Sequence, residues 1–356
     1  MLTMTTIDPN PYIPRHRKLR QLSFAWGLAM LMLLATPISQ WCNANDSNSK
    51  APEVTATSTD AGVRIEIDGK PFAEYLTKEV PQPVIWPVVG PTGKSMTRSY
   101  PLGPVQDNEK ADHIHHRSLW FTHGDVNGLD FWRDQPAGVA KQSQNLIAHR
   151  DFIKVASGNP AVVSTRNDWT SDGKQICEDE RKVLFGVDAD GTRWIDYTLT
   201  FKATESDIVL GDTKEGMFAV RVAGTMKVDA GKGGRILNPD GKTNKDAWGE
   251  PANWIEYSGP VDGESSGIAI LSHPQNFRHP CRWHVRNYGL FAANPIGEHH
   301  FKPSTVEQGA ITIRKGESLV LRYRVVIHQG AWESGQVESA YQQFIADPAT
   351  KTSSES

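Results

Sequence analysis

The strongest constraint on the fold is a two-residue alternation of apolar and polar side chains that recurs from residue 61 onward. In the segment 195–201 every second residue is apolar, which places those side chains on one face of a strand. Turns rich in Gly, Asp, Asn and Pro separate such runs, and the runs 310–314 and 318–328 flank a hairpin turn. The pattern predicts an all-β fold, a large antiparallel β-sandwich, with residues 61–346 as a single domain.

One segment near the end of the chain departs from this alternation. The apolar residues Val337, Ala340, Tyr341, Phe344 and Ile345 follow the spacing of a helix that lies on a sheet. The sequence therefore predicts a C-terminal helix. An Asp-Pro pair would end that helix, and residues 347–356 are predicted to form a disordered tail.

The N-terminus has the pattern of a secretory signal. A basic cluster at 15–20 precedes an apolar run of 14 residues at 22–35, which is shorter than the roughly 20 residues that span a bilayer. Small residues follow at 42–44, so residues 1–44 are predicted to be a signal peptide and 45–60 a flexible leader. The protein is then exported, periplasmic or extracellular, with an uncleaved N-terminal anchor as the alternative.

Composition narrows the classes of partner. The formal net charge is −3, without the basic excess that nucleic-acid binding requires, and no apolar segment beyond the N-terminus suggests an integral membrane body. A small sugar or a glycan is the expected partner. Two cysteines remain beyond the signal, Cys177 and Cys281, and the sequence leaves their pairing open.

Histidines concentrate in two blocks. Nine of the 12 fall within residues 112–132 and 273–300, together with arginine, tryptophan and acidic residues. On strands, His113 and His115 would share one face and His116 would lie on the other. Polar side chains on both faces cannot all enter a packed core, so we expect each block to border a cavity.

Imidazole, guanidinium, carboxylate and indole groups together suit a carbohydrate-processing cleft. Imidazole transfers protons near neutral pH, and arginine holds a carboxylate or a developing oxyanion. The candidate catalytic residues are His115, His116, His284 and Glu298. The candidate substrate-binding residues are Arg117, Trp120, His123, Trp132, His279, Trp283, Arg286 and Asn294, and Trp254 is a further candidate for stacking on a sugar ring.

A metal site is the rival interpretation of the first block. His113, His115, His123 and Asp125 could supply a His/carboxylate ligand set. No cofactor is firmly implied, and a divalent metal ion stays an open alternative.

The two blocks also resemble a known family. The segments HIHHRSLWFTHGDVNGLDFW and HPQNFRHPCRWHVRNYGLFAANPIG are similar to signature blocks of the bacterial "methane oxygenase PmoA-like" domain family. The resemblance spans residues 61–346 and implies a β-sandwich similar to the galactose-mutarotase-like supersandwich. That fold occurs in aldose epimerases and in several polysaccharide lyases and hydrolases.

Three functions follow from residues and resemblance together. The first is an exported enzyme that uses histidine, arginine and carboxylate groups for acid–base chemistry on a sugar, of epimerase, lyase or hydrolase type. The second is a noncatalytic carbohydrate-binding module. The third is a metal-dependent oxygenase or hydrolase, as the family name suggests.

Overall fold

Two eight-stranded antiparallel sheets form the framework of the protein. The computed structural model describes residues 51–133, 144–303 and 309–347. The first sheet contains β1 (Val54–Ser58), β2 (Gly62–Ile67), β3 (Lys70–Leu76), β4 (Val84–Val88), β5 (Leu119–His123), β11 (Gly216–Arg221), β15 (Arg282–Val285) and β16 (Leu290–Asn294). Its strand order is β1-β2-β3-β4-β5-β11-β16-β15.

The second sheet is formed mainly by the middle of the chain. It contains β6 (Asn145–Ala156), β7 (Ala161–Ser171), β8 (Lys174–Val187), β9 (Arg193–Lys202), β12 (Arg235–Leu237), β13 (Trp254–Val261), β14 (Glu264–Ser272) and β18 (Ser318–Gln329), in the order β12-β13-β14-β18-β9-β8-β7-β6. A separate ribbon pairs β10 (Ile208–Leu210) with β17 (Ile311–Ile313). The helices are α1 (Glu298–Phe301) and α2 (Ser334–Ala346), with short 3-10 turns at Gly224–Met226, Val228–Ala230 and Asn244–Ala247.

The prediction of an all-β antiparallel sandwich with a C-terminal helix is confirmed. The inner faces of the two sheets share one apolar core, to which β9 contributes Ile195, Tyr197 and Leu199. Helix α2 packs Val337 and Phe344 against the outer face of the second sheet. No helix in the described part of the chain is long and apolar enough to cross a membrane.

The flexible leader predicted for 45–60 is wrong for Val54–Ser58. These residues form β1, which pairs with β2 along its whole length and buries Val54 completely. The segment is polar, but threonine and valine favour strands, and pairing with β2 satisfies its backbone groups. The predicted signal peptide and the tail beyond 347 lie outside the described residues.

Both remaining cysteines are free thiols. Cys177 lies in β8 of the second sheet and Cys281 directly precedes β15 of the first sheet, and both are buried. Burial raises the pKa of the Cys281 thiol to about 12 and also raises the pKa of Cys177. Neither thiol is therefore ionised near neutral pH.

The first sheet packs against the second sheet on its inner face and carries a separate cluster of buried side chains on its outer face. Trp120, Ala219, Ala292 and His284 lie in register across β5, β11, β16 and β15. Because neighbouring residues in a strand point to opposite faces, all four face away from the second sheet. Trp120 packs there with Trp132 above the two alanines.

A buried ion pair of β8 lies between the two sheets. The Arg181 guanidinium donates to both carboxylate oxygens of Asp179, at 2.9 and 2.8 Å, and also to the backbone carbonyl of Pro83 before β4. Asn167 and Trp169 donate to the same carboxylate at 2.6 and 2.8 Å. Every polar partner of this carboxylate thus lies inside the sandwich.

We expect Arg181→Met to destabilise the fold strongly, because it leaves the Asp179 carboxylate buried without its cation. Removing one partner of such a pair costs about 3–5 kcal/mol in the free energy of unfolding. Arg166→Met is the matched control, since Arg166 pairs with Asp151 on the surface. Urea unfolding of both variants measures the difference, and equal midpoints would contradict this account of the ion pair.

Candidate functional site

A polar cavity of about 310 Å³ lies on the outer face of the first sheet. The segment before β5, the turn before β11 and the β15–β16 hairpin bring its walls together. Its lining residues are His113, His115, His116, Arg133, Lys214, Glu215, His284, Arg286 and Tyr288. The cavity collects side chains from both histidine blocks.

His116 is a buried, neutral imidazole with a defined tautomer. It is 2% exposed, and burial together with the charge of neighbouring side chains holds its pKa well below its usual value. The Arg221 guanidinium lies 2.9 Å from its Nδ1 atom. Because arginine can only donate, Nδ1 accepts this hydrogen bond and the ring proton resides on Nε2. His116 therefore offers an N–H donor.

His284 is also buried and neutral, but it has the opposite tautomer. Burial lowers its pKa to about 4, and its Nδ1 atom lies 3.0 Å from the carbonyl oxygen of Lys214. A carbonyl only accepts, so Nδ1 carries the proton and Nε2 carries the lone pair. That Nε2 atom has no hydrogen-bond partner among the described residues. His284 therefore offers a proton acceptor.

Aromatic stacking holds the histidines of the first block in place. The His116 ring stacks on Trp120 with centroids 5.6 Å apart, and His113 stacks on Tyr288 at 5.4 Å. His115 meets His116 edge-on at 4.5 Å. The expected strand alternation of these histidines is wrong, because the segment turns: the His116 amide donates to the His113 carbonyl, and the φ angle of His113 is 42°.

The charged side chains of the cavity are mostly basic. Arg133, Lys214 and Arg286 contribute three positive charges, while Glu215 is the acidic member of the lining. Burial alone would raise the pKa of Glu215, but nearby His284 and Lys214 lower it, so the carboxylate is ionised. Its negative charge in turn favours a proton on His284.

A buried cationic layer lies behind the first histidine block. Arg221 is 4% exposed and places its guanidinium carbon 4.6 Å from the centre of the Tyr288 ring. Arg98 is equally buried, and its Nη2 atom lies 3.3 Å from the carboxylate of Asp112. Burial and the charge of Arg98 lower the pKa of Arg221 to about 10. Two guanidinium groups thus share a single half-exposed carboxylate.

The structure brings part of the predicted site together. Of the candidate catalytic residues, His115, His116 and His284 line the cavity, and Arg286 lines it among the substrate-binding candidates. Glu298 lies elsewhere, because Arg282 holds its carboxylate through two hydrogen bonds of 2.7 and 2.6 Å.

The predicted tryptophan platforms are packing residues in the structure. Trp120, Trp132, Trp254 and Trp283 are each 0% exposed, so none offers a ring face to a ligand from solvent. Trp283 belongs to the core between the sheets and donates to the Ala252 carbonyl at 2.9 Å.

The other substrate-binding candidates are placed away from the cavity. His279 stacks on Tyr341 of α2, and the Asn294 side chain hydrogen-bonds the backbone around it. Arg117 is buried outside the cavity lining. His123 is fully buried on the core side of β5, where it bonds the Gly211 carbonyl at 2.9 Å.

The predicted metal ligands do not converge. His113 and His115 line the cavity, whereas His123 lies on the opposite face of the first sheet. Asp125 is used locally, accepting a hydrogen bond from the Gly128 amide at 2.9 Å. Within the described ranges, no group of three or more His, Cys, Asp or Glu side chains has the arrangement of a metal site.

Several residues of the cavity, and Arg221 behind it, escaped sequence analysis. Tyr288 could have been found, since it continues the alternation of His284 and Arg286 by one step. Glu215 and Lys214 precede β11 in an ordinary turn, and Arg221 is an isolated arginine at the end of that strand. No local pattern marks these three, because only strand pairing brings them to the histidines.

Together, these features define a β-sandwich protein with a basic, histidine-lined cavity on one outer sheet face. The chain belongs to DUF6807, a family of unknown function whose model matches residues 62–342. No curated protein matches the chain. This match does not support the predicted PmoA-like resemblance of the two blocks, which stays a prediction from the sequence.

We expect Arg221→Met to raise the pKa of His116, because the substitution removes a positive charge that disfavours the imidazolium ion. The pKa of His284 should stay at about 4 and provides an internal control. NMR titration of the imidazole C–H signals measures both values. An unchanged pKa of His116 would contradict the role assigned to Arg221. Arg133→Met is the matched control. It also removes one arginine from the site, but Arg133 contacts Glu215 and not His116, so the pKa of His116 should stay unchanged.

Proposed function

We propose that the protein is an enzyme that moves a proton on a sugar bound in the outer-face cavity. The observation that carries this proposal is the pair of buried, neutral imidazoles with opposite tautomers, His116 and His284. A volume of about 310 Å³ lies within the range of small-molecule sites, and the polar lining matches the hydroxyl groups of a sugar. The predicted signal peptide places this activity outside the cytoplasm, and that localisation stays a prediction.

His284 is the proposed general base. Its Nε2 atom is shielded from solvent in the free protein, so the ring must shift to expose it when substrate binds. The Nε2 lone pair then takes a proton from a C–H or O–H group of the sugar, and the Glu215 carboxylate stabilises the imidazolium ion that forms. The Nδ1 hydrogen bond to the Lys214 carbonyl keeps the ring oriented throughout. In an elimination the imidazolium proton then passes to the oxygen of the leaving group. In an epimerisation at carbon a second proton donor must protonate the opposite face, and the proton on His284 is released to solvent.

His116 is the proposed stabiliser of negative charge on oxygen. A neutral imidazole that gave up its Nε2 proton would become an imidazolate, so we assign it hydrogen-bond donation to a developing oxyanion. The bond from Arg221 holds this tautomer. Base and oxyanion donor together suit proton abstraction, as in epimerisation or elimination. Glycoside hydrolysis commonly needs two carboxyl groups, and the described lining contributes Glu215 alone.

The two other functions have less support. A noncatalytic carbohydrate-binding module relies on exposed aromatic platforms, and the four tryptophans proposed for that role are buried. A metal-dependent oxygenase or hydrolase needs ligands that converge, and the predicted set is divided between two faces of the sheet.

The proposal is tested by incubating the protein with mono- and oligosaccharides in D₂O and following deuterium incorporation and product formation by NMR. His284→Asn keeps a donor for the Lys214 carbonyl but removes the Nε2 base. His116→Asn keeps an acceptor for Arg221 but removes the Nε2 donor. We expect each variant to lose about 10²–10⁴-fold in kcat while staying folded.

His279→Asn is the matched control, because His279 lies beside α2, away from the cavity. It should leave turnover unchanged. Absence of turnover across the panel, or full activity in both cavity variants, would overturn the proposal.

The pH dependence of the same reaction gives a separate test. The base acts only when unprotonated, so kcat/KM should fall as the pH drops through about 4, the pKa of His284. At pH values above this pKa, kcat/KM should no longer depend on the protonation state of His284. A limb centred near the ordinary histidine pKa would instead indicate that another imidazole is the base.

A further inference from the structure

A second cavity continues the proposed active site along the β15–β16 hairpin. It measures about 420 Å³ and is lined by Asp229, Lys245, Trp248, Val285, Arg286, Asn287 and Tyr288. Arg286 and Tyr288 line both cavities, so the two spaces adjoin at these side chains. A ligand longer than one sugar ring would have to pass Arg286 and Tyr288 to extend from the histidines toward Trp248.

The second cavity contains polar atoms that lack partners. Trp248 Nε1, Arg286 Nε and Asn287 Oδ1 are shielded from solvent and make no hydrogen bond to the part of the chain that the structure describes. Shielded polar groups of this kind cost free energy unless something bonds them. Because the three atoms are shielded, a saccharide can bond these two donors and one acceptor only after their side chains shift toward the cavity.

Trp248 supplies the aromatic surface that the buried tryptophans do not. Its indole is only partly buried, meets Phe301 edge-on at 5.3 Å and lies 5.6 Å from the guanidinium carbon of Arg286. Phe301 fixes the ring in position. An indole at a cavity wall can pack against the C–H face of a sugar.

The combined lining is cationic, although the chain as a whole carries a formal charge of −3. Arg133, Lys214, Lys245 and Arg286 outnumber the two acidic members, Glu215 and Asp229. The buried Arg98 and Arg221 guanidiniums, which share Asp112, add to this potential from behind. A concave cationic surface concentrates anions.

We propose that the two cavities form one cleft with two subsites for an anionic oligosaccharide, one unit at the histidines and the next between Lys245 and Trp248. The anionic group is a carboxylate or a sulfate on the sugar. A carboxylate beside the carbon that loses its proton would also place negative charge where His116 and the guanidinium groups can stabilise it. This inference rests on the proposed function for the first subsite only.

The test measures binding to the full chain by isothermal titration calorimetry. The probes are trigalacturonate, its fully methyl-esterified form and a sulfated galactose trisaccharide. The ester has the same rings without the charge. We expect at least one anionic probe to bind about tenfold or more tightly than the ester at low salt, with the advantage shrinking at high salt. Equal binding of all three probes, or no binding, would overturn the anionic assignment.

Two variants locate the second subsite. Lys245→Gln and Trp248→Phe should weaken binding of the anionic trisaccharide several-fold, while binding of the matching monosaccharide stays unchanged. Lys242→Gln is the control on the same loop, because Lys242 pairs with Glu250 outside the cavity lining. Trisaccharide affinity that is the same in all three variants would show that the second cavity takes no sugar unit.

Binding and turnover separate the two proposals. Tight binding of the acidic trisaccharide without any proton transfer would leave the anionic cleft standing and overturn the catalytic assignment. Turnover confined to neutral sugars would leave the catalytic assignment standing and overturn the anionic cleft.

Discussion

The structure depends on the need to cover both faces of the first sheet. One face packs against the second sheet, where apolar residues bury the Asp179–Arg181 ion pair away from water. The other face carries Trp120, two alanines and His284 in register, and a turn rich in histidine closes over it. The polar side chains of this cover and His284 on the sheet face it, so the space between them is lined by hydrogen-bonding groups.

Fixed backbone and side-chain partners give the two buried histidines different chemistry. A donor, Arg221, faces His116, and an acceptor, the Lys214 carbonyl, faces His284. Burial keeps both rings neutral, so His116 is left with one donor, the Nε2–H group, and His284 with one acceptor, an Nε2 atom that is shielded from solvent in the free protein. The arrangement resembles a base and an oxyanion donor prepared before substrate binds, which limits reorganisation during the reaction.

The sequence was sufficient to predict the fold class, and its two histidine blocks contain residues that line the candidate cavity. Alternating apolar residues identified the strands, and the spacing of Val337, Tyr341 and Phe344 identified α2, because local periodicity encodes both. The histidine blocks also located the cavity. The solvent exposure of the tryptophans could not be inferred from the sequence. Tryptophans near polar residues predict a cleft lining, but these side chains are buried on the outer face of a sheet or in the core between the sheets.

The remaining site residues depend on long-range pairing. Glu215 reaches His284 because β11 lies next to β16, which in turn pairs with β15. Such neighbours are about 70 residues apart in the chain, so no local motif connects them. Glu298, the carboxylate among the candidate catalytic residues, is instead paired with Arg282 and lies outside the cavity lining.

The central claim is the opposed tautomeric state of His116 and His284, and long-range ¹H–¹⁵N NMR of the imidazole nitrogens measures it directly. At neutral pH the account predicts a proton on Nε2 of His116 and on Nδ1 of His284, with neither ring protonated twice. Assignments would come from the spectra of His116→Asn and His284→Asn. The same tautomer in both rings, or an imidazolium ion at either position, would contradict the account.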